Sequence, residues 1–76
     1  MDSFQKIKEI ISIITGIDVE RISDKQFLDA DLNITEEEIE EIITAVEDEF
    51  TLDLSEDSEF IETVGDLHTI VDEELV

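Results

Sequence analysis

The stretch Ile34-Thr35-Glu36-Glu37-Glu38-Ile39-Glu40-Glu41-Ile42-Ile43-Thr44-Ala45-Val46-Glu47-Asp48-Glu49-Phe50 decides the fold. Thr35 is a good helix N-cap, and Glu38, three residues on, completes a capping box. Ile34 before the cap and Ile39 at the fourth helical position make the matching hydrophobic staple. From there Ile39, Ile42, Ile43, Val46 and Phe50 fall on one helical stripe. Glu37, Glu41, Thr44 and Asp48 fall roughly opposite, with Glu36, Glu40 and Glu47 along one flank. Acids at 36–38 also suit the positive end of the helix dipole. The segment predicts an amphipathic helix with a buried isoleucine face and a heavily acidic outer face.

Helical spacing recurs on both sides of it. Upstream, Phe4, Ile7, Ile11 and Ile14 form a stripe that Ile10 and Ile13 widen. Ser3 is a suitable N-cap there, and Gly16 is placed to end the helix in a left-handed conformation. Residues 17–34 have short apolar pairs between polar breaks and read as a long structured loop, anchored by Ile17, Val19, Ile22, Phe27 and Leu28. Downstream, Ser55-Glu56-Asp57-Ser58-Glu59-Phe60-Ile61 predicts a short helical turn. Thr63 then caps a last helix, with Asp66 at its capping-box position and Val64, Leu67, Ile70, Val71 and Leu75 on its buried face. No segment alternates strongly enough for a strand. The expected fold is all-α: a single domain over 1–76 with three principal helices, one short helix and a long first loop, arranged as a small four-helix bundle.

Composition agrees with a folded but very acidic domain. Ile, Leu, Val and Phe make up 28 of the 76 residues, above the level of roughly 20% below which disorder becomes the default. Against 4 Lys+Arg stand 24 Asp+Glu, a formal charge of −20. The charge is unevenly distributed. Residues 1–25 hold all four cations and five acids, whereas residues 26–76 hold nineteen acids and no Lys or Arg. Such a surface repels phosphate backbones and anionic membranes, so neither nucleic acid nor membrane is an expected partner. A basic protein surface is a better one, and crowded carboxylates are expected to bind divalent cations weakly. The absence of Cys excludes a disulfide framework and a thiolate nucleophile. The charged start Met1-Asp2-Ser3-Phe4-Gln5-Lys6-Ile7-Lys8 does not read as a signal peptide, and no apolar run approaches a membrane span. The expected location is the cytoplasm or an equivalent organelle lumen.

Over nearly its whole length the chain resembles the acyl and peptidyl carrier proteins. The resemblance runs through Lys6-Ile7-Lys8-Glu9-Ile10-Ile11, Thr15-Gly16-Ile17, Phe27-Leu28-Asp29, Asp31-Leu32, Ala45-Val46-Glu47-Asp48-Glu49-Phe50 and Thr63-Val64-Gly65-Asp66-Leu67. It implies a four-helix bundle with a long first loop, a relation to fatty acid or polyketide biosynthesis, and docking on enzymes through an acidic second helix. It also implies phosphopantetheine on a Ser in an Asp-Ser-Leu motif at the start of that helix. Here the chain departs from the family. Counting back from Phe50, the corresponding residues are Thr35-Glu36-Glu37, and the preceding family Gly is matched by Asn33 or Ile34. Glu36 occupies the Ser position, and its carboxylate cannot replace the hydroxyl that attacks coenzyme A. No cofactor is therefore expected.

The leading expectation is a carrier-like, non-enzymatic docking protein. Its partner-binding residues would be Glu36, Glu37, Glu40, Glu41, Glu47 and Asp48, and its partners basic patches such as those of enzymes that act on carrier proteins. One alternative is an active carrier that uses the hydroxyl of Thr35, which the cap reading otherwise explains; Ser55 and Ser58 read as turn and cap residues. Another is a calcium-responsive protein. Asp29, Asp31, Asn33, Glu37 and Glu40 occupy positions 1, 3, 5, 9 and 12 of a calcium-binding loop. Against it, the turn position that needs Gly holds Ile34, the apolar eighth position holds Glu36, and the Thr35–Glu38 cap starts a helix inside the loop. His68, the only His, reads as a boundary or surface residue rather than a general base, which needs a positioned partner and a pocket.

Overall fold

The computed structural model describes residues 3–75. Three α-helices carry the fold: α1 (Ser3–Thr15), α2 (Glu36–Phe50) and α3 (Val64–Leu75). Single 3₁₀ turns at Val19–Arg21 and Ser58–Phe60 punctuate the two connections. There is no strand among the described residues, only an isolated antiparallel bridge between Phe27 and Thr63. The all-helical expectation and the three principal helices hold.

The short fourth helix is reduced to the Ser58–Phe60 turn. The chain here descends through successive three-residue closures: Asp57 N–H to Leu54 C=O, Phe60 N–H to Asp57 C=O, and Ile61 N–H to Ser58 C=O. Leu54 and Ile61 at the two ends are both buried. One turn between two fixed anchors gains none of the cooperativity that lengthens a helix.

α1 packs against both α2 and α3. The core is entirely apolar and is built on Ile7, Ile10 and Ile11 of α1, Ile42 and Val46 of α2, and Val64, Leu67 and Val71 of α3. Ile22, Leu28 and Ile34 come in from the long loop, and Leu54 and Ile61 from the second connection. Four apolar expectations fail. Ile13 is 83% exposed, because at ~100° per residue it lies about 120° round the helix from Ile7. Phe27 is largely exposed, as is Leu75 in the last turn of α3. Val19 is half-buried but does not join the core. The loop is held instead by Ile22, Leu28 and Ile34, with Ile17 and Leu32 partly covered.

Most helix ends follow the local chemistry, but Ser3, expected as a cap, lies within α1 and donates its hydroxyl to the Asp72 carboxylate. Gly16 closes α1 at φ 80°, its N–H bonded to the Ser12 carbonyl. α2 ends at Thr51 with φ 57°, a left-handed conformation that is costly for a β-branched residue. The Thr51 and Leu52 N–H groups both bond back to the Glu47 carbonyl there.

The start of α3 is docked onto the long loop. The N–H groups of Val64 and Gly65 donate to the carbonyls of Gln26 (3.0 Å) and Asp24 (2.8 Å), and Leu28 N–H donates to Glu62 C=O (2.9 Å). The bonds from Val64 and Gly65 satisfy helix N–H groups that have no intrahelical partner. A Cβ on Gly65 would lie 2.7 Å from the Asp24 carbonyl oxygen. The glycine is required by space, since its backbone is ordinary helix.

Candidate functional site

The start of α2 is fixed by its cap. The Thr35 hydroxyl accepts from Glu38 N–H at 3.2 Å and the Glu38 carboxylate accepts from Thr35 N–H at 3.1 Å, the reciprocal box expected from the sequence. The same hydroxyl lies 3.2 Å from the Glu38 carboxylate as a donor. Both hydrogen-bonding capacities of Thr35 are thus committed to its own helix. Before the cap, the chain closes a tight loop: Ile34 N–H donates to Leu28 C=O and Asn33 N–H to Asp29 C=O. Asn33 sits in the left-handed region at φ 56°, where Gly is favoured and Asn is the side chain best tolerated.

Beyond the cap the helix is densely acidic. α2 carries eight acids and no basic residue, and the Lys6–Glu9 ion pair and the His68–Asp72 contact both lie elsewhere. Glu36, Glu37, Glu40, Glu41 and Asp48 are all exposed. Glu37, Glu40, Glu41 and Asp48 border a shallow, open depression over Thr44 and Ala45. All six residues belong to one helix, so this is a ridged face and not an enclosed pocket. Glu47 stands apart from the other five. Its carboxylate turns back to accept the Leu54 N–H at 2.7 Å, pinning the chain reversal after α2.

A second depression of about 220 Å³ lies between the first half of α2 and the Ser58–Phe60 turn, lined by Glu36, Ile39, Glu40, Ile43, Ser58 and Glu59. The sequence reading singled out Glu36 and Glu40 but not Glu59 or the groove itself. Glu59 lies 19 residues beyond Glu40, and only the folding back of the second connection brings its turn to α2. No local signal announces this.

The calcium alternative is distributed over two kinds of structure. Asp29 and Asp31 sit in the loop, the Asp31 carboxylate accepting Phe27 N–H at 2.8 Å and the Asp29 carboxylate accepting Ala30 N–H at 2.7 Å. Asn33 takes the left-handed turn, and Glu37 and Glu40 project from α2, which begins at Glu36. Among the described residues no group of three or more acidic or His side chains is arranged to hold a metal ion.

Ser55 and Ser58 both lie in the turn region. The Ser58 hydroxyl donates to Ser55 C=O, and Ser55 N–H donates to the Asp53 carboxylate. The Ser55 backbone and side chain together hold the Asp53 carboxyl below its usual range. At the start of α3 the Asp66 carboxylate accepts from Thr63 and Glu62 N–H, each at 3.0 Å, while the Thr63 hydroxyl accepts Asp66 N–H at 3.0 Å. Those N–H groups lower the Asp66 pKa, Thr63 first.

His68 belongs to the α1–α3 seam. Its ring stacks on Phe4 with centroids 4.7 Å apart, and Nε2 is 3.0 Å from the Asp72 carboxylate, which also accepts the Ser3 hydroxyl. Lys8 Nζ lies 4.7 Å from the Phe4 ring centroid.

No protein-family model matches the chain. No helix among the described residues is long and apolar enough to cross a membrane.

Proposed function

We propose that the chain is a carrier-type four-helix domain without a prosthetic arm, acting as a docking protein through the acidic face of α2. In this reading the Ser58–Phe60 turn stands for the short helix of the carrier fold. The observation that carries the reading is the mouth of α2, where Glu36 is exposed at the position the resemblance gives to the attachment Ser. Two further features support the alignment. Asn33 has the left-handed backbone that a preceding Gly would supply, and α2 begins one residue after Thr35, as the motif requires.

The residues at this position do not fit phosphopantetheine. Attachment needs a free hydroxyl, Glu36 offers a carboxylate, and the neighbouring Thr35 hydroxyl is bonded within the cap. What remains is an unneutralised, outward-facing set of carboxylates: Glu36, Glu37, Glu40, Glu41 and Asp48. Such a set recognises a basic protein surface, steers its approach and makes association fall with salt. The protein would occupy the docking site of an enzyme that acts on carriers without delivering an acyl group, and would itself catalyse nothing.

The test is intact mass after co-expression with a phosphopantetheinyl transferase, with Glu36→Ser run in parallel. The wild-type mass is expected to stay unchanged. A gain of one phosphopantetheine on the wild type overturns the reading in favour of attachment at Thr35. Titration against a carrier-processing enzyme with a basic docking patch then tests the second half, with a complex that weakens as salt rises as the expected result.

A further inference from the structure

We infer that the cleft in the long loop between α1 and α2, bordered by Arg21 and Asp31, binds a zwitterionic α-amino acid with an apolar side chain. The inference goes beyond the docking reading and does not depend on it. The cleft has a volume of about 310 Å³ and is lined by Ile17, Arg21, Gln26, Asp31 and Leu32, none of which belongs to α2. Its size is at the lower end of the roughly 300–1,000 Å³ of small-molecule sites.

Hydrogen bonds within the loop fix its walls. The Gln26 amide donates to Arg21 C=O at 2.9 Å and accepts Ser23 N–H at 2.8 Å, so both its ends are taken. One oxygen of the Asp31 carboxylate accepts Phe27 N–H at 2.8 Å, and the other has no hydrogen bond to a described residue. Arg21 is the only Arg in a chain with 24 acids. Its guanidinium is nevertheless paired with none of the described acids, the two charge contacts being Lys6–Glu9 and His68–Asp72. Arg21 and Asp31 thus border one cleft without closing on each other. Ile17 and Leu32, both packed on the core, supply apolar surface beside them.

An unpaired cation and an open anionic oxygen, set apart over an apolar surface, match a ligand that carries the opposite charges a short distance apart. An α-amino acid holds both on one carbon. Its carboxylate meets the guanidinium fork, its ammonium meets the open Asp31 oxygen, and its side chain covers Ile17 and Leu32. Charge excludes simpler ligands. An anion is repelled by Asp31 and by the field of the −20 chain, and a cation is repelled by Arg21 and drawn to the acidic faces. A net-neutral zwitterion meets neither obstacle.

Titration of the full chain with L-leucine, followed by ¹⁵N amide shifts, tests the assignment. The shifts are expected to saturate and to concentrate at residues 17–32. Isocaproate, which lacks the ammonium, and isoamylamine, which lacks the carboxylate, should each bind at least about tenfold more weakly. Arg21→Gln and Asp31→Asn should each weaken leucine binding at least about fivefold, the scale of one charge-assisted hydrogen bond. The amide oxygen of Asp31→Asn can still accept Phe27 N–H, so this variant removes the charge and keeps the loop. Glu41→Gln, on α2, should leave leucine binding unchanged. Shifts that stay linear and unsaturated, equal binding of isocaproate or isoamylamine, or wild-type affinity in either loop variant would overturn the inference.

Discussion

α2 and α3 begin with the same local chemistry and end up in opposite surroundings. Each has a Thr cap, a carboxylate three residues on, and a reciprocal pair of hydrogen bonds. At α3 the next N–H groups are taken by carbonyls of the long loop, and Gly65 lies so close to Asp24 that no side chain fits. At α2 the first turn is Glu36-Glu37-Glu38, with Glu36 and Glu37 exposed. A capped helix start is therefore not in itself a site or a joint; the neighbour decides. The α3 start is a structural joint between loop and bundle, and the α2 start is an exposed, charged surface held rigid by its own cap.

The sharpest way to break this contrast is Gly65→Ala. A methyl driven against a backbone carbonyl that is itself hydrogen-bonded should cost about 3 kcal/mol, the upper range for overpacking. Urea unfolding measures it, and a loss under about 1 kcal/mol would show that the loop yields and the joint is soft. Gly16→Ala gives the useful comparison. Gly16 has open space around it and only a positive φ to satisfy, so its cost should be about 1 kcal/mol.

Next in size is the carboxylate of Asp66. Asp66→Ala should remove about 1.5 kcal/mol by leaving the Thr63 and Glu62 N–H groups without their acceptor. Asp66→Asn should recover much of this, because the amide oxygen still accepts. The pH dependence follows from the lowered Asp66 and Asp53 values. A carboxyl depressed in the folded state contributes stability that is present above its unfolded value and lost as pH falls through the folded one. Relief of the −20 charge acts the other way, stabilising the compact state as carboxylates begin to take up protons. Thermal stability should accordingly rise from pH 7 towards pH 5.5 and fall again below the unfolded Asp value of about 3.9. Added salt at pH 7 should raise it through screening. A melting temperature flat or falling between pH 7 and pH 5.5 would contradict the repulsion argument.

At α2 the expected effects are smaller. Thr35→Ala should cost about 1 kcal/mol, the ordinary value of an N-cap, and should speed amide exchange in the first turn of α2 before anywhere else. Smallest is Glu36→Gln, within about 0.5 kcal/mol of wild type. The charge it removes is favourable to the helix dipole and unfavourable to its acidic neighbours. A stability change above about 1 kcal/mol would mean that Glu36 is a structural residue, and the proposed role of the α2 start would have to be revised.

By itself the sequence determined what depends on neighbours along the chain. Thr35–Glu38, Thr63–Asp66 and Gly16 announced helix ends because capping is a three-residue affair, and isoleucine spacing announced the buried faces of the helices. It also fixed the charge and the absence of a Ser at position 36. Only the tertiary structure decided what depends on distant partners. Ile13 looks like part of a stripe until the helix is wound and its direction seen. Glu47, grouped from sequence with the outward acids, is drawn in by the Leu54 N–H where the chain reverses. Phe27 looks like an anchor, yet it is Leu28 and Ile34 that reach the core, because the bridge to Thr63 sets the register of the loop. The groove that joins Glu36 and Glu40 to Glu59 exists only because Leu54 and Ile61 are both buried, which folds the intervening turn against α2. Local hydrogen bonds are written in adjacent residues, whereas packing selects among surfaces that many sequences offer equally well.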